Sequence, residues 1–248
     1  MMTEAPFGSL KGDYLARGAC AELWRCRHPE AVISGPAGTG KSRACLEKLY
    51  TCAVKYPGSR FLLARKTRES LSEAALYTFE EKVLPENSQL AMGSQRRMRQ
   101  RYELKNGSEI VVAGLDKPEK IMSTEYDMIY VQEATECEER DIEMLTTRLR
   151  NASMPYQQLL MDCNPDAPHH WLYQRAAAGR ALLLESRHED NPTVTPAYLA
   201  TLDALTGVRY QRLRLGLWVA AEGQVYEAWD PATHRVDQAQ LQQMGILM

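Results

Sequence analysis

The sequence has no long run of apolar residues and no leader-like start. Its purely apolar stretches are short, such as residues 110–113, whereas a membrane-spanning helix needs roughly 20 apolar residues. The first residues lack the basic-then-apolar arrangement of a secretory signal. We therefore expect a cytoplasmic protein without membrane segments. The 248 residues allow one large domain, or one domain with an appendage.

The six cysteines include no C-x-x-C pair, and the spacing of Cys20, Cys26 and His28 is not that of a zinc site. Free thiols in a reducing compartment are the simplest interpretation. The net charge is only −2, so overall charge does not indicate a nucleic-acid-binding protein. The basic residues nevertheless form three groups, which together favour a polyanionic partner. The groups are Arg60, Arg65, Lys66 and Arg68; Arg96, Arg97, Arg99 and Arg101; and Arg209, Arg212 and Arg214.

A glycine-rich segment fits the phosphate-binding pattern G-x-x-x-x-G-K-[ST]. It consists of Gly35, Pro36, Ala37, Gly38, Thr39, Gly40, Lys41 and Ser42. The glycines let successive backbone N–H groups point at one anion, the lysine reaches the β- and γ-phosphates, and the serine hydroxyl ligates Mg²⁺. A strand-like run at 30–34 precedes the segment and a helical pattern follows it, as the motif requires. The sequence therefore predicts a nucleoside triphosphate site, with ATP and Mg²⁺ as ligands.

Apolar strand-like runs alternate with helical patterns along the chain. Further strands are predicted at 61–64, 127–131, 158–162 and 181–184, and helices at 68–83, 138–150, 169–178 and 195–215. Asn106-Gly107 lies between two β-prone runs, 102–105 and 108–113, and predicts an antiparallel hairpin. This alternation is typical of an α/β fold: a mostly parallel sheet with helices on both faces and an inserted β-hairpin.

Two further chemical groups follow predicted strands. The apolar run 128–131 is followed by Gln132 and Glu133. A Walker B motif has two acids at these positions, one for Mg²⁺ and one that polarises the attacking water. Gln132 can bond to a Mg²⁺-bound water but supplies no charge, so Glu133 is the predicted catalytic base. The next strand runs into Asn164, whose amide suits a γ-phosphate sensor.

The combination resembles the large terminase subunit of tailed bacteriophages, the motor that packages DNA into procapsids. The matching pieces, in family order across about residues 30–230, are 35–42, 56–58, 64–67, 130–136, 147–150, 164–165 with 170–171, 188–192, 216–218 and 221–226. The resemblance implies a RecA-like ASCE ATPase core with a small C-terminal lid or linker subdomain. It implies that Asn164 belongs to the motif that couples hydrolysis to DNA movement. We expect a helical or irregular segment at 1–29, the core at 30–190 and the lid at 191–248.

The implied function is ATP hydrolysis that translocates double-stranded DNA into a procapsid, in the cytoplasm of an infected bacterium. The implied partners are DNA, the portal protein, the small terminase subunit and other copies of the chain in a ring, with a monomer expected in isolation. The predicted DNA-contacting residues are Arg96, Arg97, Arg99 and Arg101. Two alternatives remain open: a nucleotide-binding assembly module with little hydrolysis, and, less favoured, a small-molecule kinase.

The sequence departs from the family pattern in two places. The family usually has an acid where Gln132 stands, and many members carry a basic residue, acting on the neighbour's nucleotide, where Met122 stands. The alternative basic residues are Lys117, Lys120, Arg148 and Arg150. Full-length terminases continue into a nuclease domain with clustered carboxylates. Only 22 residues follow Tyr226, with three acids, so we expect the ATPase half alone.

Overall fold

A seven-stranded sheet organises the chain. The computed structural model describes residues 14–86, 88–92, 95–117, 121 and 123–220. The strands are β1 (Glu30–Ser34), β2 (Arg60–Arg65), β3 (Arg101–Glu103), β4 (Glu109–Gly114), β5 (Met128–Val131), β6 (Gln158–Cys163) and β7 (Leu182–Glu185). Their order across the sheet is β3-β4-β2-β5-β6-β1-β7. All neighbouring pairs are parallel except β3 with β4.

The central strands are buried on both faces, because successive side chains point to opposite sides of the sheet. In β5, for example, Met128 and Tyr130 pack into one cluster of core residues, and Ile129 and Val131 pack into a second cluster on the other face. The first cluster also holds the apolar residues of the helix that follows the glycine-rich loop. The two-sided burial explains why the predicted strands read as continuous apolar runs rather than alternating ones.

Helices cover both faces, as predicted. They are α1 (Gly18–Arg25), α2 (Lys41–Lys55), α3 (Arg68–Glu73), α4 (Ala75–Thr78), α5 (Glu139–Thr146), α6 (Trp171–Ala177), α7 (Pro196–Asp203) and α8 (Gly207–Leu213), and a π-helical turn at Phe79–Val83 follows α4. No described helix is both long and apolar enough to cross a membrane.

Three predicted helices are shorter or more broken than expected. The predicted helix 68–83 is divided into α3, α4 and the π-helical turn. The predicted helix 195–215 is two helices, since Thr206 is extended and Gly207 has a φ of +58°. The predicted helix 138–150 stops at Thr146, where the Thr146 and Thr147 hydroxyls donate to the carbonyls of Glu143 and Met144. Such local side-chain bonds compete with helix continuation.

The predicted hairpin is present at one edge of the sheet. β3 and β4 are antiparallel and are joined through Asn106-Gly107, where Gly107 has a φ of +83°. The Asn106 side chain accepts a hydrogen bond from the Ser108 N–H, which fixes the turn. β4 also pairs in parallel with β2, so the hairpin extends the main sheet rather than standing apart from it.

The order of the strands brings three loops together. β6 lies between β1, which leads into the glycine-rich loop, and β5, which leads into Glu133. The carboxyl ends of parallel strands share one edge of the sheet, where ligands of such folds bind. The residues after β1, β5 and β6 therefore meet at this edge.

Candidate functional site

The glycine-rich loop wraps around the ammonium group of its own lysine. Gly38 and Gly40 have φ values of +83° and +89°, a region that glycine adopts without a steric penalty. Lys41 begins α2, and its Nζ donates to the Gly35 and Pro36 carbonyls at 2.8 and 2.7 Å. The same Nζ donates to Asn164 Oδ1 at 3.2 Å. The loop, its lysine and the predicted sensor amide thus lie within one hydrogen-bonded group.

Burial lowers the pKa of the Lys41 ammonium, and the nearby carboxylates of Asp162 and Glu133 oppose that effect. The lysine has only 5% of its surface exposed. A buried cation held among carbonyl oxygens is prepared for an anionic ligand, because a phosphate would compensate the charge better than neutral dipoles do.

The segment after β7 holds the loop from outside. Three of its side chains bond to the loop: Ser186 Oγ to Thr39 Oγ1 at 2.8 Å, His188 Nε2 to the Ala37 carbonyl at 3.0 Å, and Asn191 Nδ2 to the Gly38 carbonyl at 2.6 Å. A side chain at Gly35 would place its Cβ 2.3 Å from the Ser186 carbonyl oxygen. The family-like segment 188–192 therefore has a structural role that the sequence alone did not show: it fixes the conformation of the glycine-rich loop.

Glu133 lies in a strained turn immediately after β5. Its φ of +50° is the only positive φ among the described residues other than glycine. Its backbone N–H donates to Asp162 Oδ1 at 2.9 Å, which helps to hold this conformation. Burial, together with the neighbouring Asp162 carboxylate, raises the pKa of Glu133 to about 7. A carboxylate with a pKa near neutrality is a stronger base than an ordinary glutamate.

Three side chains from two segments of the chain position the turn that carries Glu133. Arg65, at the end of β2, makes two hydrogen bonds to Glu136 at 2.9 and 2.6 Å. The His170 ring lies 3.3 Å from the Thr135 carbonyl, and the Trp171 indole N–H donates to the Cys137 carbonyl at 2.8 Å. Residues 170–171, which match the family pattern, thus help to fix the position of the Glu133 turn.

Asp162 is the site residue that the sequence reasoning missed. It lies on β6 with no exposed surface, and its Oδ2 accepts a hydrogen bond from the Ser42 hydroxyl. Burial raises the pKa of Asp162, and the bond from Ser42 and the charge of Lys41 oppose that effect. A signal was present in the sequence: an acid inside an apolar strand needs a polar partner.

The oxygen atoms around Ser42 fit a hard cation. Mg²⁺ in nucleotide sites is held by one or two protein oxygens together with water and phosphate. Ser42 and Asp162 offer such oxygens, and the Gln132 side-chain Oε1 is buried without a hydrogen-bond partner among the described residues. The described ranges contain no group of three or more His, Cys, Asp or Glu side chains that could hold a metal alone. This donor set matches an ion that arrives with a nucleotide.

A family model described as phage terminase large subunit matches residues 27–196, which is more than half of the chain. The chain belongs to the phage terminase large subunit family. The resemblance inferred from the sequence is therefore confirmed. No curated protein sequence matches the chain.

Solved terminase structures share the fold. The large terminase of a thermophilic bacteriophage has a TM-score of 0.67 at 18% identity, over 90% of this chain and 58% of that protein. The ADP complex of the same protein has a TM-score of 0.68 at 19% identity, over 89% and 58%. The large terminase ATPase domain of Thermus phage P74-26 has a TM-score of 0.61 at 16% identity, over 83% and 95%. The expected RecA-like fold is confirmed, and this terminase chain spans about 58% of the first of these proteins.

The basic residues proposed to act on a neighbour's nucleotide lie at two edges of the terminase sheet. Lys117 is exposed after the end of β4, on the same edge as the glycine-rich loop. Arg148 lies at the opposite edge, because its carbonyl accepts from the N–H of Tyr126, just before β5. Arg150 is close by and pairs with Glu125 at 2.9 Å. Lys120 and Met122 lie outside the described residues, as do the family-like residues 221–226.

The four arginines proposed to contact DNA do not form one exposed cluster. Arg99 is 5% exposed and donates to the Leu90 and Ala91 carbonyls, so its guanidinium has a structural role and leaves the proposed set. Arg96 pairs with two glutamates at 2.6 and 3.0 Å. Arg97 and Arg101 also pair with glutamates, at 2.7 and 3.1 Å. Their side chains are nevertheless 78% and 55% exposed, which leaves them accessible to a phosphate backbone.

Proposed function

We propose that this terminase chain binds ATP with Mg²⁺ in the loop at 35–42, hydrolyses it, and uses the energy to move double-stranded DNA. One observation carries the proposal: three hydrogen bonds connect the loop, the turn of the predicted base and the predicted sensor through the end of β6. Lys41 bonds to Asn164, while Ser42 and the Glu133 backbone both bond to Asp162. Binding, water activation and phosphate sensing then take place at one point. The loop and its lysine would bind phosphate, Ser42 and Gln132 (through water) would hold Mg²⁺, and Glu133 would take a proton from the attacking water.

In this proposal the Asn164 amide senses the γ-phosphate, and it does so only once a nucleotide is bound. Its oxygen now accepts from Lys41. A phosphate that takes over the lysine frees the amide to bond to the γ-phosphate or the attacking water. The partner of Asn164 then changes when the γ-phosphate leaves, and β6 carries that change toward the rest of the sheet. The large terminase of the thermophilic bacteriophage, solved with ADP and with ATP-γ-S, supports nucleotide binding by analogy.

Replacing Lys41 by alanine tests the nucleotide site. A charge-assisted phosphate contact contributes about 1.5–3 kcal/mol, so Lys41→Ala is expected to weaken binding of a fluorescent ATP analogue roughly 10–150-fold. Lys55→Ala, at the exposed far end of α2, is the matched control and is expected to bind normally. Unchanged affinity in Lys41→Ala would mean that the nucleotide binds elsewhere.

A groove beside β4 supports the DNA part of the proposal. Its volume is about 720 Å³, and its lining contains five basic residues and two acids. The basic residues are Arg60, Arg68, Arg97, Arg101 and Lys117. A motor must follow any genome, so we propose that the contacts are to phosphates and independent of base sequence.

The double variant Arg97→Ser/Arg101→Ser tests this surface. Loss of two phosphate contacts is expected to weaken duplex binding equally for unrelated sequences and to lower the salt slope by about one per contact. The control is Arg140→Ser/Arg180→Ser, which removes two arginines that are 78% and 52% exposed elsewhere. A strong preference for one duplex in the wild type, or binding unaffected by the first pair, would rule out this assignment.

The remaining parts of the proposal follow from family membership. The core at 30–190 and a lid at 191–248, whose described part contains α7 and α8, would work in the cytoplasm of an infected bacterium. The portal protein, the small terminase subunit and other copies of the chain would complete the packaging motor. The alternative, an assembly module with little hydrolysis, is favoured by the neutral Gln132. The Asp162 carboxylate beside Ser42 counts against it.

A further inference from the structure

We infer that Asp162 supplies the negative charge of the magnesium site, in place of the acid that the end of β5 lacks. The inference rests on the proposed function, since it concerns the same Mg²⁺–ATP site. It assigns to β6 a task that Walker B sites give to the neighbouring strand.

The first observation is the strand register. Val131 of β5 is paired with Met161 of β6, so Gln132 and Asp162 each stand one residue past that pair. Side chains alternate along a strand, so Asp162 points to the face that holds Leu160. Gln132 directly follows β5, and the same alternation counted from Tyr130 gives it that face as well. That is the face covered by α2, which begins at the glycine-rich loop. Adjacent strands are about 4.8 Å apart, so the Asp162 carboxylate lies only one strand away from the place where a Walker B acid would stand at the end of β5.

The second observation is the contact with the loop serine. Asp162 Oδ2 accepts from the Ser42 hydroxyl, the group that ligates Mg²⁺ in phosphate-binding loops. A carboxylate in this place can hold a metal-bound water and compensate part of the cation's charge. Gln132, only 4% exposed, offers a neutral oxygen at the same site. The site therefore has one acid, on β6, and one amide oxygen, directly after β5.

The third observation links the charge to the base. Asp162 Oδ1 accepts from the Glu133 N–H, so one carboxylate touches both the metal-binding hydroxyl and the turn that carries Glu133. An asparagine could keep both contacts, because its Oδ1 can accept from Glu133 and its amide N–H can donate to Ser42. A merely structural role would therefore tolerate Asp162→Asn, whereas a role in charge compensation would not.

The test compares wild type with Asp162→Asn, Gln132→Asp and the charge-exchanged double variant. Affinity for a fluorescent ATP-γ-S analogue is measured in EDTA and in Mg²⁺, and Mn²⁺ binding in the presence of nucleotide is followed by electron paramagnetic resonance. The metal-dependent gain is the ratio of nucleotide affinity in Mg²⁺ to that in EDTA. In Asp162→Asn this gain is expected to be about tenfold or more smaller than in wild type, while binding in EDTA is unchanged or tighter. The double variant is expected to recover the gain to within about threefold of wild type.

Several results would overturn the inference. An undiminished metal-dependent gain in folded Asp162→Asn would do so, and so would a folded double variant that recovers none of it. If Asp162→Asn does not fold, Gln132→Asp decides alone. If Asp162 already supplies the carboxylate, Gln132→Asp is expected to change the Mg²⁺-dependent gain in nucleotide affinity by less than about threefold. If Gln132→Asp raises that gain about tenfold, the wild-type site lacked the charge and the inference is wrong. Wild type that binds no nucleotide in either buffer would instead refute the proposed function.

Discussion

The Glu133→Gln variant is expected to bind ATP nearly as tightly as wild type and to lose about 10²–10⁴-fold of its turnover. The glutamine keeps the shape of the side chain and the backbone N–H that bonds to Asp162, so the turn is preserved. What disappears is the carboxylate that accepts a proton from the attacking water. Phosphate release measured in steady state gives the rate, and titration with a fluorescent nucleotide gives the affinity.

A matched control removes an exposed acid on the helix that follows the Glu133 turn in the chain. Glu143→Gln changes an exposed carboxylate on α5, whose side chain is 56% exposed, and is expected to keep full activity. A Glu133→Gln rate within about twofold of wild type would exclude Glu133 as the base. Loss of nucleotide affinity together with the rate would instead indicate that the substitution disturbed the loop.

The rate of hydrolysis is expected to rise with protein concentration. In ring ATPases a basic residue from the neighbouring subunit neutralises charge on the γ-phosphate, an effect that can reach ~10³–10⁵-fold. Arg148 and Arg150 lie at the edge of the sheet opposite the glycine-rich loop, so neither can contact the nucleotide site of its own chain. Lys117 and Lys120 are the other two alternatives. Alanine at one of these four positions is expected to abolish the concentration-dependent rate and to leave nucleotide affinity intact.

Mixing of variants gives a sharper form of this test. A chain that lacks the trans-acting residue keeps its base, and Glu133→Gln keeps the trans-acting residue. A mixture of the two inactive chains is therefore expected to recover activity, because one subunit can complete the site of the other. Arg140→Ala, which removes a basic residue that is 78% exposed, is the control for general charge effects. A rate per subunit that stays flat from nanomolar to high micromolar protein would show that one chain holds the complete site.

The sequence predicted the parts of the site that depend on neighbours in the chain. The glycine-rich loop, the hairpin at Asn106-Gly107 and the central strands follow from local pattern. The sheet confirms the hairpin and the mostly parallel pairing of the strands, whereas their order was not predicted. Asp162 could not be assigned in this way. Its partner Ser42 lies 120 positions earlier, and only the placement of β6 between β1 and β5 brings the two together.

The basic residues illustrate a second limit. Arg96, Arg97, Arg99 and Arg101 look alike in the sequence, yet Arg99 alone is turned inward onto two backbone carbonyls. Those carbonyls belong to a short 3₁₀ helix, Gln89–Ala91, whose position depends on packing rather than on local pattern. The end of α5 is a further example. The helix was predicted to reach residue 150, but the Thr146 and Thr147 hydroxyls bond to backbone carbonyls and the helix stops at Thr146.

The most direct test of the proposed motor function is the steady-state ATPase rate with and without double-stranded DNA, at high protein concentration. We expect a rate that needs Mg²⁺, increases with DNA of any sequence, and is lost in Glu133→Gln under the same conditions. A wild-type rate no higher than that of Glu133→Gln, or a rate that DNA leaves unchanged, would contradict a DNA-translocating ATPase.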